Sequence, residues 1–355
     1  MSLSFDFSNY DLNDTSHNNL TYFIADPKTL SCGLKQLAPG VGLTICLLLI
    51  AIFLLAIPGN FLVGWVIRTS QHALTPSDVY LFHLTIADGL MALSIPFSAV
   101  VVIKGWIFGN FMCKLLTLIF DTNFYTSILF LACISIDRYL VIVHASESFK
   151  SRQRMCSLLL CGGVWAFGCA LALPALFSDV SRLKNNSDRM ICNDNFDIGN
   201  ASKWRIAMRG SRHIFGFLLP IGVMVTCYSI TIVRLLKTRG FQKHRAMRVI
   251  IIVVIVILLC WLPYHLSMIV DTLLRADLIP YDCALRTSVN LALAVSKNLA
   301  LFHSCINPVL YAFVGEKFRK KMKMLLHRRM AQERLSVSRC SRSTSQTSES
   351  NGTVL

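Results

Sequence analysis

The sequence predicts an all-α integral membrane protein, a bundle of seven transmembrane helices followed by an amphipathic cytoplasmic eighth helix. Three observations carry this. Of the 355 residues, 54% are hydrophobic and only 15% charged, with a mean hydropathy of +0.56, too apolar for a soluble domain. Apolar stretches of about twenty residues or more, enough to cross ~30 Å of hydrocarbon, lie near residues 40–68, 78–103, 110–143, 154–177, 206–237, 243–272 and 286–313. Between them lie short polar segments, so the chain divides into spans rather than folding as one core. The expected organisation is an extracellular acidic arm over 1–38, the seven-helix domain over 39–314, an amphipathic helix over 315–330 and a cytoplasmic Ser/Thr-rich tail over 331–355.

Seven spans place the two termini on opposite sides. Basic residues such as Arg68, Lys150, Arg152, Lys237, Arg239, Lys317 and Arg319 mark the cytoplasmic side, although the 178–205 loop is basic too. Glycosylation sequons at Asn13, Asn19, Asn185 and Asn200 all fall on the opposite face, which puts the N-terminus outside the cell. The first 31 residues are polar, so no cleavable signal is visible and the first span is expected to act as signal anchor. The formal charge of +16 belongs mostly to helix ends that contact anionic lipid, not to a nucleic-acid site.

In chain order, the arm carries Asp6, Asp11, Asp14 and Asp26 with Tyr10 and Tyr22 among them. That composition suits capture of a basic protein partner, with the two tyrosines as sulfation candidates. The first span contains Gly59-Asn60. The second contains Asp88, a carboxylate deep in an apolar helix and therefore a functional candidate. Asn123, Ser127 and Asn307 are its expected partners, and such a ring of oxygens suits sodium as an allosteric ion; a polar network without a metal remains the alternative.

The third span, about 110–143, is long, free of proline and expected to be tilted and central. Asn123 and Ser127 share one face leading to Leu131, Ile134 and Arg138, and that face should look into the bundle. Its end, Asp137-Arg138-Tyr139, is a charged cluster at the inner membrane surface. Prolines 96, 174, 220, 263 and 308 fall inside spans two, four, five, six and seven, where each frees a carbonyl and can kink its helix. Cys260-Trp261-Leu262-Pro263 and Asn307-Pro308-Val309-Leu310-Tyr311 place large rings beside two of these kinks, which suits helices that swing.

Thirteen cysteines sort by depth: most are buried in spans or cytoplasmic. Cys32, Cys113, Cys192 and Cys283 remain on the oxidising side, where three pairings are open. After Phe313, Phe318, Met322, Leu325 and Leu326 recur at helical spacing on a basic background, the signature of a helix lying on the inner leaflet. The tail offers Ser336, Ser338, Ser341, Ser343, Thr344, Ser345, Thr347, Ser348 and Ser350 for phosphorylation, and Thr353-Val354-Leu355 as a weak PDZ-binding end.

These residues together resemble class A, rhodopsin-like G-protein-coupled receptors over about residues 32–330. Gly59-Asn60, Leu84 to Asp88, Asp137-Arg138-Tyr139, Cys260 to Pro263 and Asn307 to Tyr311 occur in the right order on the right helices. Within that class the chain is similar to CXC chemokine receptors, most of all the interleukin-8 receptors, through Lys104 to Gly109, Leu131 to Ala145, Lys203-Trp204-Arg205, Gln242 to Val249, Cys260 to Tyr264 and His303 to Pro308. The resemblance implies Cys113–Cys192 and Cys32–Cys283 bridges. It also implies a chemokine of the glutamate-leucine-arginine type that docks on the arm, then inserts its N-terminus toward Arg205, Arg209, Asp271, Arg275 and Arg286. Movement near Trp261 and Pro263 would free helices five and six, with Arg138, Tyr228 and Tyr311 rearranging to admit a Gi α subunit. Leukocyte chemotaxis, calcium signalling, receptor kinases and arrestin on the tail, and a plasma-membrane location follow from the same resemblance.

Two departures stand out. Lys297 occupies a position where the family usually has an acid, and Arg212 replaces a helix-five proline. Both make the pocket more positive; Lys297 is expected to pair with the glutamate of the ligand motif or with Asp271. A non-signalling scavenger of the same fold is the alternative function, disfavoured by the intact Asp137-Arg138-Tyr139. A transporter is disfavoured by the absence of internal repeats and by a count of one buried carboxylate, Asp88. No catalytic constellation lies at one membrane depth, so the chain is not expected to be an enzyme.

Overall fold

In the computed structural model the described residues are 39–69, 74–144, 150–182, 190–194, 201–236, 241–276, 278–280, 282–306, 308, 322–324 and 327. The arm, its sequons and tyrosines, Asn185, Asn200, Cys32, Asn307, Tyr311, the tail and nearly all of the expected eighth helix lie outside them; residues 322–324 are helical.

The helices are α1 (Pro39–Arg68), α2 (Pro76–Lys104), α3 (Gly109–Tyr139), α4 (Lys150–Ala172), α5 (Ala201–His213), α6 (Leu219–Leu236), α7 (Phe241–Arg275) and α8 (Cys283–Leu301). A π turn, Ile214–Leu218, joins α5 to α6, so these two form the fifth membrane span, and α7 and α8 form the sixth and seventh. Six helices are long and apolar enough to cross a membrane, and the shorter apolar helix Leu258–Leu274 within α7 completes the set. The third span is 56% buried in its apolar window against 28–39% in the other five long ones. It is the axis of the bundle, and Tyr125, Phe130 and Leu131 on it are among the most deeply buried side chains.

Local chemistry sets the helix ends. Thr75 caps α2 in a reciprocal box with Asp78, with Pro76 in the first turn. Asp282 caps α8 by accepting from the amides of Ala284 and Leu285 at 3.1 and 3.3 Å. The prolines do more than kink. Pro308 has no N–H, so the carbonyl four residues back, Ser304, loses its helical donor. Asn60 Nδ2 donates to that carbonyl at 2.8 Å and to Ala56 at 2.9 Å. Gly59 makes the approach feasible, because a Cβ there would lie 2.9 Å from the Pro308 ring. The Gly59-Asn60 pair therefore joins the first span to the seventh. Pro58, inside α1, is a further helical proline that the sequence reading passed over.

The bundle is not wholly helical. Ser178–Arg182 (β1) and Met190–Asp194 (β2) form an antiparallel hairpin over the extracellular end, with Val180 opposite Cys192. Cys192 is bonded to Cys113 in the second turn of α3, with Cα atoms 5.7 Å apart. Trp106 N donates to Met190 O at 2.8 Å just after Gly105, whose φ of 78° ends α2 in the left-handed region where glycine is favoured. Asn110 donates to Asp179 and accepts from the Val180 amide, while Lys114 pairs with Asp179 at 2.9 Å and donates to Leu176 O. Lys114 and Asn110 hold the Asp179 carboxyl below its usual range. A depressed carboxylate contributes its tie above the unfolded pKa and loses it as pH falls through the lower folded value. This contact is thus expected to hold the hairpin unchanged between about pH 5 and 8, with loosening only below about pH 4. An Asp179→Asn variant should lose that low-pH transition when loosening of the hairpin is followed across an acid titration.

Candidate functional site

On the outer half of α5, Arg205, Arg209 and Arg212 recur at helical spacing, so one face carries three cations. The structure supplies partners. Arg209 Nη2 lies 2.7 Å from Asp271 Oδ2 and its Nη1 donates to Thr272 Oγ at 2.8 Å, joining the fifth span to the sixth. Arg212 Nη2 lies 2.6 Å from Asp121 Oδ2 and its Nη1 donates to the Tyr264 hydroxyl at 2.9 Å, joining the fifth span to the third and sixth. Four buried carboxylates, Asp88, Asp121, Asp137 and Asp271, stand among the described residues, where the sequence reading counted only Asp88. Asp121 was missed because a single acid in an otherwise apolar stretch has no visible partner in sequence. Arg209 holds Asp271, and the Lys297 ammonium sits 4.7 Å over the Phe120 ring. Arg205 is half-buried one turn before Arg209; Arg286 is half-buried near the start of α8, and the Arg275 side chain lies outside the described residues.

Below these cations is a ring cluster. Phe124 packs on Trp261 with centroids 4.7 Å apart, and Phe120 meets the same indole edge-on at 6.0 Å. Gly216, in the π turn, makes room: a Cβ there would fall 2.2 Å from the Phe124 ring. His213 and His265 share a hydrogen bond between Nδ1 atoms at 2.8 Å, so one ring donates and the other accepts.

Trp261 also lies 5.2 Å from the His303 ring, and His303 Nε2 is 3.6 Å from Asp88 Oδ1. Asp88 Oδ1 accepts from Ser127 at 2.9 Å and Asn123 at 3.2 Å. His303 Nδ1 bonds the Ala300 carbonyl, which only accepts, so Nδ1 is the donor in that bond. Nε2 and Asn123 Oδ1 are buried without a hydrogen-bond partner among the described residues. The Asp88 carboxylate, the Ser127 hydroxyl and the unpartnered Asn123 Oδ1 are oxygens of the kind that a hard monovalent cation such as sodium takes; Asn307, the fourth expected ligand, lies outside the described residues. A bound cation would neutralise Asp88 and satisfy these acceptors, while Asn123 and Ser127 orient the carboxylate.

At the cytoplasmic end, Asp137 is buried, accepts from Ser77 on α2, and lies 3.9 Å from Arg138 Nε. Tyr228 on α6 shares a hydrogen bond with Ser135 one turn above Tyr139. Arg138 is thus held loosely by its neighbour on α3, while Asp137 is held firmly by α2.

Residues 59–311 match the family model described as 7 transmembrane receptor (rhodopsin family). The chain belongs to that family of seven-transmembrane receptors, multi-pass proteins of the plasma membrane. Rabbit C-X-C chemokine receptor type 1 is 45% identical over 78% of each chain, the human type 1 receptor 44% over 76% of each, and the human type 2 receptor 42% over 78% of this chain and 76% of its own length. Within the receptor class the chain is therefore a member of the C-X-C chemokine receptor family, and not an enzyme.

Proposed function

We propose that the chain is a signalling receptor for CXC chemokines carrying the glutamate-leucine-arginine motif, coupled to Gi and driving leukocyte chemotaxis and calcium release. The observation that carries this reading is the continuity of one packed network: Arg212 at the outer end over Phe124, the Phe120, Phe124 and Trp261 rings together, then His303 and Asp88. A ligand that binds the outer cations differently in two helix packings shifts the population between them. The acidic arm of residues 1–38, with Asp6, Asp11, Asp14 and Asp26 and sulfated Tyr10 and Tyr22, takes the basic chemokine body by electrostatic steering. A Cys32–Cys283 bridge sets that arm over the bundle; Cys283 is itself disulfide-bonded. Arg205, Arg275 and Arg286 complete the ligand rim. On the inner side, release of Arg138 and Tyr228, with Tyr311 moving from the seventh span, opens the site for the G-protein helix. Helix 315–330 rests on the inner leaflet, and the phosphorylated 331–355 tail recruits arrestin, with a PDZ domain as a further partner of its last residues. Asp88, Asn123, Ser127 and Asn307 hold sodium in the resting packing.

The test is Gi activation in cells against a chemokine panel, beside Arg138→Ala and Lys297→Glu receptors. Arg138→Ala is expected to keep chemokine binding within about threefold while abolishing Gi activation, because Arg138 lies at the cytoplasmic end, far from the ligand. Binding without any Gi response in the unaltered receptor would instead identify a scavenger. Silence until Lys297→Glu is made would assign the pocket to another ligand class.

A further inference from the structure

The Arg209–Asp271 and Arg212–Asp121 pairs are each arranged with the acid behind and the base in front. The Asp271 side chain is 1% exposed and that of its partner Arg209 21%; Asp121 is 6% exposed and Arg212 20%. An inserted group therefore meets guanidinium faces rather than carboxylates. Lys297, an exposed residue, adds a third cation by placing its ammonium over Phe120. Two of the three cations lie on rings that touch the same indole. Arg212 Cζ is 5.7 Å from the centre of Phe124, Lys297 Nζ is 4.7 Å from that of Phe120, and both rings pack on Trp261.

We propose that Arg212 and Lys297 form an anion subsite on the floor of the pocket, which selects a carboxylate in the inserted segment of the ligand, with Arg212 exchanging part of its contact with Asp121 for that carboxylate. This deepens the chemokine reading and rests on it. The exchange is favourable because an Arg fork offers several N–H donors in one plane, enough to hold two carboxylates in turn or together. Lys297 supplies the second positive charge as a point contact. Any shift of Arg212 is felt by the Tyr264 hydroxyl and by the Phe124 face that rests on Trp261. The subsite thus acts where ligand identity can bias the helix packing, and it distinguishes an acid from its amide, a difference that shape alone does not read.

The test is a double-mutant cycle across the interface. Neutralising Arg212 alone would strand Asp121, so the receptor variant is Arg212→Gln with Asp121→Asn, which keeps hydrogen-bonding groups at both positions; Lys297→Gln is the second variant. The ligand is the chemokine that activates the unaltered receptor, compared with its variant in which the acidic residues of the flexible N-terminal segment are changed to amides. Each change alone is expected to raise the half-maximal concentration by about 30-fold, and the two together by little more than one alone. Shifts that multiply instead, to about 1,000-fold, would overturn the subsite. A second arm uses no chemokine: the melting temperature of detergent-purified receptor is followed with short glutamate-containing peptides and with their glutamine counterparts. A rise with the acidic peptides that disappears in the Arg212→Gln, Asp121→Asn receptor supports the subsite, and no rise in the unaltered receptor overturns it. An unaltered receptor that answers no chemokine but gives this peptide-dependent rise would sink the ligand class and leave the anion site standing.

Discussion

An Asp271→Ala receptor is expected to reach the cell surface at a small fraction of the unaltered level, and the molecules that do so should answer chemokine weakly or not at all. Asp271 is 1% exposed and accepts from Arg209, whose guanidinium also donates to Thr272. Removing the acid leaves a mostly buried cation with one neutral partner, and breaking a buried pair from one side costs about 3–5 kcal/mol. Because a fifth of the Arg209 side chain is open to solvent, the low end of that range applies. The effect should be asymmetric. Arg209→Gln with Asp271→Asn removes both charges at once and is expected to restore most of the surface level, while chemokine sensitivity stays reduced because a cationic face is lost. Flow cytometry with an antibody to an N-terminal tag reads the first quantity and Gi activation the second. Normal surface level and normal response in Asp271→Ala would show that Arg209 is satisfied without its acid.

The second large effect is expected from Cys113→Ser. The bond to Cys192 closes a loop with a sequence separation of 79, for which chain-entropy reasoning gives about 4–5 kcal/mol. More is at stake than stability, because this bond fixes the β1–β2 hairpin to the top of α3. The ties of Asn110 and Lys114 with Asp179 are exposed contacts of small individual strength, and the Trp106 amide adds one backbone hydrogen bond to Met190. Loss of chemokine binding is the expected outcome, together with retention inside the cell. Cys161→Ser is the contrast: that thiol is free and buried between helices, and its replacement should leave binding intact. Equal loss in both variants would mean that any polar change in the bundle, not the bridge, is responsible.

The spans and the central third helix were legible in the sequence, and the helix caps, which the sequence analysis did not single out, rest on the same kind of short-range rule. Hydrocarbon thickness sets span length, a proline removes a donor at a known offset, and an acid or threonine at a helix start accepts the first amides. The Gly59-Asn60 pair and the carbonyl freed by Pro308 could be read as motifs; that one serves the other required the seventh span to be laid against the first. The same holds for the site. Arg209, Arg212, Lys297 and Asp271 were visible as charged residues on apolar helices, but the pairing of Arg209 with Asp271 was not legible and Asp121 stood out by no local signal. The hairpin escaped for a different reason: two five-residue strands in a polar loop carry too little periodicity to stand out.

The sequence by itself determined that this chain crosses a membrane seven times and carries the motif set of a rhodopsin-like chemokine receptor, because each of those signals lies within a few turns of one helix. The tertiary structure alone decided which charges neutralise each other, which cation faces the pocket and which ring lies under it. Those outcomes depend on helices brought together from 52 to 91 residues apart in the chain, as for Arg212 with Tyr264 and with Asp121, and no local pattern encodes their rotation about one another.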